Sequence, residues 1–286
     1  MANLKDLRSR ITSVSSTMQI TSAMKMVSAA KLSRAQDAIT AMRPYSEKLT
    51  ELLQSLSATL DDDTSSKFSE EREVNNVLIV AISSNRGLAG AFNTNIVKGV
   101  RNVIAAKYSD KNVQLLTIGK KANDVLRKNY SVSENNNAIY DNLDFENVSI
   151  IAEAIMQGFL DGKYDKVELV YNQFVNAATQ NIMTEQFLPI EKFERDSNVT
   201  LDYIFEPSKL EIVKDLIPKS LKMQIFKAMS DSLASEHGAR MTAMHKATDN
   251  ATELRDSLKL SYNKARQAAI TNEILEIVGG AEALNN

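Results

Sequence analysis

Residues 219–278 read KSLKMQIFKAMSDSLASEHGARMTAMHKATDNATELRDSLKLSYNKARQAAITNEILEIV. The run contains no proline and a single glycine, Gly238, so nothing in it forces the backbone out of the helical basin. At ~1.5 Å of rise per residue, one helix of this length extends on the order of 90 Å. That is far beyond the diameter of any domain a 286-residue chain can build. Met244, Ala247, Ala251, Leu254 and Leu258 step by three and four, and Ser261, Ala265 and Ala268 continue the stripe with small side chains. Small seam residues let a second helix approach closely, which predicts a slender pair. Upstream, Pro207, Ser208, Lys209, Leu210 and Glu211 form a helix start signal of the capping-box type. Pro218 predicts a break after a short first helix, and the adjacent Gly279 and Gly280 predict a C-cap.

The partner for this stripe lies at the other end of the chain. From Asn3, a capping residue with Asp6 three positions on, apolar side chains fall at Leu4, Leu7, Ile11, Val14 and Met18. The seam weakens at Thr21, Lys25 and Ser28 and resumes at Leu32, Ala35, Ile39 and Met42. Pro44 interrupts a pattern that continues through Leu49, Leu52, Leu53 and Leu56, which predicts a kink and not a stop. Two terminal helices, each with a heptad-like stripe, bury those stripes most simply against each other as an antiparallel coiled coil.

The middle of the chain has a different texture. Val77 to Ile82 is a short continuous apolar run, the mark of a strand buried on both faces. A loop over 83–91 leads into a helix near 93–107; a second strand follows over 113–118, then helices near 120–129 and 148–160. Residues 167–175 and 182–190 read as two further strands, paired antiparallel. Alternating strands and helices predict a Rossmann-like α/β domain. The division expected is an N-terminal coiled-coil helix over 1–60, an acidic linker over 61–73, the α/β domain over 74–205 and a C-terminal coiled-coil helix over 206–286. The fold class is α/β with a long terminal coiled coil.

Chemistry is scarce. The chain has no cysteine, which excludes disulfides, thiolate catalysis and cysteine-ligated metal centres. The loop from Ser83 to Ala91 sits where doubly wound folds bind phosphates, yet it lacks both the Gly-Lys-Ser/Thr of a P-loop and the three-glycine spacing of a dinucleotide site. Gly87 and Gly90 read instead as a tight strand-to-helix turn. His237 and His245 stand eight residues apart on one helix, about 12 Å, too far to share a metal ion. Each reads as a partly exposed helical histidine. No serine lies in a Gly-x-Ser-x-Gly elbow. No catalytic site, cofactor or metal is expected. Eleven methionines, concentrated on the long helices, read as adaptable filler or as a soft surface that slides past changing neighbours.

The net charge of −2 conceals an asymmetry. Residues 1–45 carry seven lysines and arginines against Asp6 and Asp37, and residues 240–268 carry six against Asp249, Glu253 and Asp256. The basic ends read either as solvated faces of exposed helices or as surfaces for an acidic protein partner, and without interleaved aromatic residues they argue against nucleic acid. No apolar stretch of bilayer length is present, so membrane association must pass through partners. Three readings follow: a mechanical part within a larger assembly, an α/β enzyme with oligomerisation arms, or a coiled-coil scaffold with an inert head.

Several ordered stretches resemble the gamma subunits of F-type ATP synthases. They are Leu7 to Ile11, Gln19 to Val27 and Arg43 to Tyr45 at one end, and Ser235 to Met241, Ala247 to Asn250, Tyr262 to Ile274 and Glu276 to Ala281 at the other. Arg86, Gly87 and Leu88 after the first strand, and residues 203–207, extend the likeness across the chain. The resemblance implies a non-catalytic central-stalk rotor, its terminal helices inside a hexamer of alpha and beta subunits and its α/β domain toward the membrane. It carries torque between the two and so couples proton flow to ATP synthesis. It implies beta-subunit contacts at Met24 with Lys25, at Arg266 and Gln267, and at Thr271. Tyr203, Phe205 and Glu206 match the foot that meets the epsilon subunit and the membrane c ring. Plastid members carry an added segment with a cysteine pair and mitochondrial precursors a transit peptide. Neither stands here, which implies a bacterial protein on the cytoplasmic face of the inner membrane.

Overall fold

The computed structural model describes residues 4–57, 67–190 and 209–284. The described residues fall into two compact units. One joins residues up to 28 with those from 241 onward, and the other comprises residues 29–240.

The first unit consists of the outer parts of two helices, α1 (Leu4–Ser57) and α5 (Lys209–Leu284). Thr21 meets Thr248 hydroxyl to hydroxyl at 2.8 Å, and the Arg255 guanidinium reaches Met18 Sδ at 3.3 Å. Residue numbers thus fall along one helix as they rise along the other, the antiparallel sense the stripes predict. The polar interruption of the α1 seam proves to be part of it. Thr21 and Ser28 are buried, and each hydroxyl also returns a hydrogen bond to its own helix, at Met18 O and Met24 O. On α5 the expected seam is corrected. Beyond Ala251 the half-buried positions are Thr252, Arg255, Leu258, Tyr262 and Ala265, while Leu254, Ser261 and Ala268 are exposed. The heptad step from Ala251 lands on Arg255, whose aliphatic stem and head lie along Met18 and so occupy a place an apolar side chain would take.

In the second unit a five-stranded sheet runs in the order β3-β2-β1-β4-β5. Its strands are β1 (Asn76–Ile82), β2 (Asn112–Ile118), β3 (Ser131–Asn135), β4 (Lys166–Phe174) and β5 (Gln180–Leu188). The first four are mutually parallel and β5 is antiparallel to β4. Period-two alternation along β1 explains its apolar run. Val77, Ile79 and Ala81 pack with α2 (Phe92–Lys107) and α3 (Lys120–Leu126), while Leu78, Val80 and Ile82 pack with α4 (Phe145–Leu160) and the first turns of α5. Asp144 caps α4 by accepting from Asn147 N at 2.8 Å. Gly119, at φ +100°, lets β2 cross the end of β1, since a Cβ there would stand 2.2 Å from the Ser83 carbonyl oxygen.

Two sequence expectations fail, and one strand has no counterpart among them. β3 went unread because Ser131–Asn135 offers only Val132 as an apolar residue. Pro218 does not break α5, which runs unbroken from Lys209. Ile217 and Leu221 on either side of it are buried against the sheet, and that packing offsets the roughly 3 kcal/mol an interior proline costs. Gly279 and Gly280 do not cap the helix, because it continues to Leu284. Pro44 lies inside α1 as expected.

Candidate functional surfaces

In the first unit the burial pattern of α5 ends at Ala265. From Arg266 to Ala281 every side chain is exposed; in the register set by Thr21 with Thr248 and Met18 with Arg255, this stretch lies beyond the part of α5 level with Leu4, the first described residue of α1. The exposed stretch is nonetheless apolar. Ile270, Ile274, Leu275, Ile277 and Val278 all face solvent, with Ile277 at 70% exposure. Arg266, Gln267 and Thr271 lie at its start, all exposed, and Thr271 donates to Gln267 O one turn back at 2.9 Å.

Met24 and Lys25 are half-buried on α1, between the buried Thr21 and Ser28. Beside them, Ile20, Met26 and Val27 are exposed. The antiparallel register puts Met24 level with the region of α5 near residue 245, so the two expected contact groups stand about 30 Å apart along the helix. They are two stations and not one site. Tyr203, Phe205 and Glu206 lie outside the described residues.

The second unit contains a polar cluster to which the sequence reading gave no role. Along α5, Ser235, Glu236, His237, Gly238 and Arg240 are all buried, so the helix is enclosed on nearly every side here, and Ser235, Gly238 and Arg240 meet the carboxyl ends of β4 and β1. Ser235 Oγ donates to Asn172 O at 3.0 Å, and a Cβ on Gly238 would lie 3.1 Å from Ala177 Cα. Arg240 donates to Glu236 Oε1 at 2.7 Å through Nη1, and through Nη2 to the carbonyl oxygens of Arg86 and Gly87 at 3.3 Å each. Within the loop, Ser84 and Asn93 exchange hydrogen bonds, and Leu88 is held at φ 62° with its side chain 65% exposed. Strand order reverses between β1 and β4, the crevice where doubly wound folds take ligands. Here the chain's own helix fills it. Burial pushes the Glu236 carboxyl above the ordinary range, against the opposing pull of Arg240, Lys31 and Arg86.

His237 corrects the sequence reading. It is only 8% exposed, its Nδ1 finds no partner, and burial reinforced by Arg240 and Lys31 lowers its pKa from 6.5 to about 4. The charges that act on it are Arg240 on its own helix and Lys31 on α1, and the periodicity of α5 alone reveals neither the burial nor the α1 cation. His245 is exposed, with Nδ1 3.2 Å from Asp249. Among the described residues no cluster of three metal-ligating side chains occurs, and no helix is long and apolar enough to cross a membrane.

The ATP synthase family matches residues 3–284 of the chain. The ATP synthase gamma chain of Christiangramia forsetii is 77% identical, with all of both chains covered. The ATP synthase gamma chain of Flavobacterium psychrophilum is 68% identical over 99% of each chain. Among solved structures, a chain of the Euglena gracilis mitochondrial ATP synthase, in its OSCP/F1/c-ring assembly in rotational state 3, shares the fold. Its TM-score is 0.71 at 24% identity, over 98% of this chain and 94% of that one. A paired-helix unit, a sheet crevice filled by the chain's own helix and this end-to-end likeness have one explanation: the chain belongs to the ATP synthase gamma-chain family.

Proposed function

We propose that the chain turns as the central shaft of a proton-translocating F-type ATP synthase and passes torque between a membrane c ring and the catalytic hexamer of alpha and beta subunits. The observation that carries this reading is the stretch of α5 from Arg266 to Ala281, exposed on all sides and yet rich in isoleucine, leucine and valine. Each such side chain forgoes about 1.5–3 kcal/mol while it stays in water, and a contiguous set of them marks a surface that a partner covers. A sleeve of surrounding subunits covers a helix from every side, as this stretch requires. The basic charge of both ends suits acidic walls.

The chain carries out no bond chemistry of its own. It is an essential subunit of the enzyme, and it acts through shape. A shaft that is not threefold symmetric presents a different face to each catalytic subunit, and differential contacts with the conformations of that subunit shift which one is favoured. Met24 and Lys25 are assigned to one ring of beta contacts, and Arg266, Gln267 and Thr271 to a second about 30 Å away. Tyr203, Phe205 and Glu206 are assigned to the contact with the epsilon subunit and the c ring. The division is that read from sequence, with coiled-coil helices over 1–60 and 206–286, an acidic linker over 61–73 and the α/β domain over 74–205; the outer parts of the helices, up to 28 and from 241, enter the hexamer, and the unit built around the sheet forms the foot of the stalk. The setting is the cytoplasmic face of a bacterial inner membrane.

Reconstitution tests this. Co-purified with the alpha and beta subunits of its own enzyme, the chain should yield an assembled hexamer whose ATP hydrolysis depends on it. ATP hydrolysis or nucleotide binding by the isolated chain would support an enzyme instead.

A further inference from the structure

One face of the sheet in the second unit carries a layer of cations that the chain itself leaves unmatched. Residues 92–127, from α2 through the end of α3, contain seven lysines and arginines against Asp110 and Asp124. Among the described residues, only Lys107 of the seven is in a salt bridge, 3.2 Å from the buried Glu168. Toward the amino edge of the sheet, Lys107, Lys111 and Lys166 stand among Asp110, Glu168, Asp165 and Glu73, and the charges nearly cancel. On the helices above, Lys98 and Arg101 of α2 and Lys120, Lys121 and Arg127 of α3 stand against Asp124 alone. The sheet adds no carboxylate to them. Ile182, Thr184 and Gln186 are the β5 neighbours on this face, beside Asn172, Val170 and Glu168, whereas Glu185 and Glu134 lie beside Leu169 and Leu116 on the other. Lys98 and Arg101, with Thr94 and Ala105, project opposite the buried Ile96, Val100 and Val103, and so point away from the sheet. Because α2 covers β1, β4 and β5 and α3 covers β2 and β3, the cations are spread over about 20 Å of sheet width.

We propose that the outer face of α2 and α3 is held toward the anionic phospholipid headgroups of the bilayer while the shaft turns; the inference rests on the shaft reading above. Dispersed lysines and arginines on a broad helical layer suit a charged plane, and clusters of this size are drawn to anionic leaflets. The attraction acts across a Debye length, about 8 Å at physiological salt, so it needs neither insertion nor dehydration. Rotation chooses among acidic partners. A stationary acidic protein would meet a turning face at one angle in each revolution and would act as a brake, whereas a fluid leaflet offers the same charge at every angle. Nucleic acid is disfavoured because Phe92 and Tyr108, the aromatic residues of this stretch, are both buried and offer no ring for stacking. The sequence reading left membrane association to partners; this face adds a direct electrostatic contact.

The test uses a fluorophore on Ala105→Cys, the sole thiol of the chain, in the assembled ATP synthase reconstituted into vesicles whose headgroups carry a nitroxide quencher. Ile150→Cys, exposed on α4 across the sheet, is the control. In phosphatidylcholine and phosphatidylglycerol in equal parts, the Ala105 label should be quenched and the Ile150 label should stay bright. In phosphatidylcholine alone both should stay bright. Lys98→Glu combined with Arg101→Glu should lower the affinity of the full-length chain for the mixed vesicles about tenfold or more in low salt. Equal quenching of the two labels, quenching that persists in neutral lipid, or an affinity indifferent to the charge reversals overturns the proposal. Binding of the chain through its basic ends would leave the Ala105 label bright and overturns it too. Stronger protection of 92–107 from hydrogen exchange by soluble polyglutamate than by the mixed vesicles would point to an acidic protein instead. If the enzyme assembles and hydrolyses ATP without selective quenching, this proposal fails and the shaft reading stands. If no hydrolysing hexamer forms, the shaft reading fails, and the same two labels on the chain alone still judge the face.

Discussion

At the residue scale, the cluster on α5 around Arg240 sets the strongest constraints. Removing the Arg240 side chain strands the buried Glu236 carboxylate and frees the Arg86 and Gly87 carbonyls. Arg240→Ala should therefore cost about 3–5 kcal/mol in chemical denaturation of the full chain. His237 gives a pH signature. Its folded pKa lies below its unfolded value, so the stability it protects is present in full above about 6.5 and is lost as pH falls toward about 4. Between pH 7 and pH 5 the chain should lose about 2 kcal/mol from this group, and His237→Gln should flatten that slope. Gly119→Ala forces a Cβ into the Ser83 carbonyl at an unfavourable φ and should abolish soluble folded protein or lower its melting temperature sharply. Sequence alone marked Gly238 and Arg240 within a recognisable stretch without giving them a task. Their task depends on β4 and on the 83–91 loop, elements distant in sequence, so helix periodicity could not supply it.

At the element scale, the long helices and the strand β1 were legible because their periods are strong. In α1 the buried or half-buried positions continue by three and four from Leu7 through Thr21 and Ser28 to Met42 and Leu49. What apolarity alone missed was that small hydroxyl residues can keep a seam, because each hydroxyl donates to a carbonyl of its own helix and so is satisfied while buried. The same reliance on local signals misread Pro218 and the paired glycines, where tertiary packing or the continuation of a long helix overrides propensity. The exposed stretch of α5 yields a prediction at this scale. Arg266→Glu should weaken hexamer assembly or lower its hydrolysis rate severalfold, while Lys128→Glu, exposed on α3's side of the sheet, should leave both near the unsubstituted level. Lys107 is a poor control, because it pairs with the buried Glu168 at 3.2 Å. Equal effects of the two reversals would remove the assigned contact.

At the scale of the whole molecule, the account joins a chain without bond chemistry to a family whose members belong to ATP synthase. On the proposed reading, what makes the chain functional is distributed: an exposed apolar helix end, two stations proposed as beta contacts along the paired helices, and a crevice filled by the chain itself. None of these is a constellation of reactive groups, so motifs of bond chemistry carry little of the function and the long ordered stretches shared with the family carry more. The absence of cysteine makes the decisive measurement direct. With Asp110→Cys as the sole thiol, a bead attached there can be followed in single complexes whose alpha and beta subunits are fixed to a surface. The account predicts stepwise rotation in one direction that requires ATP and stops when it is withdrawn; a bead that stays fixed, or wanders equally in both directions while ATP is hydrolysed, would contradict it.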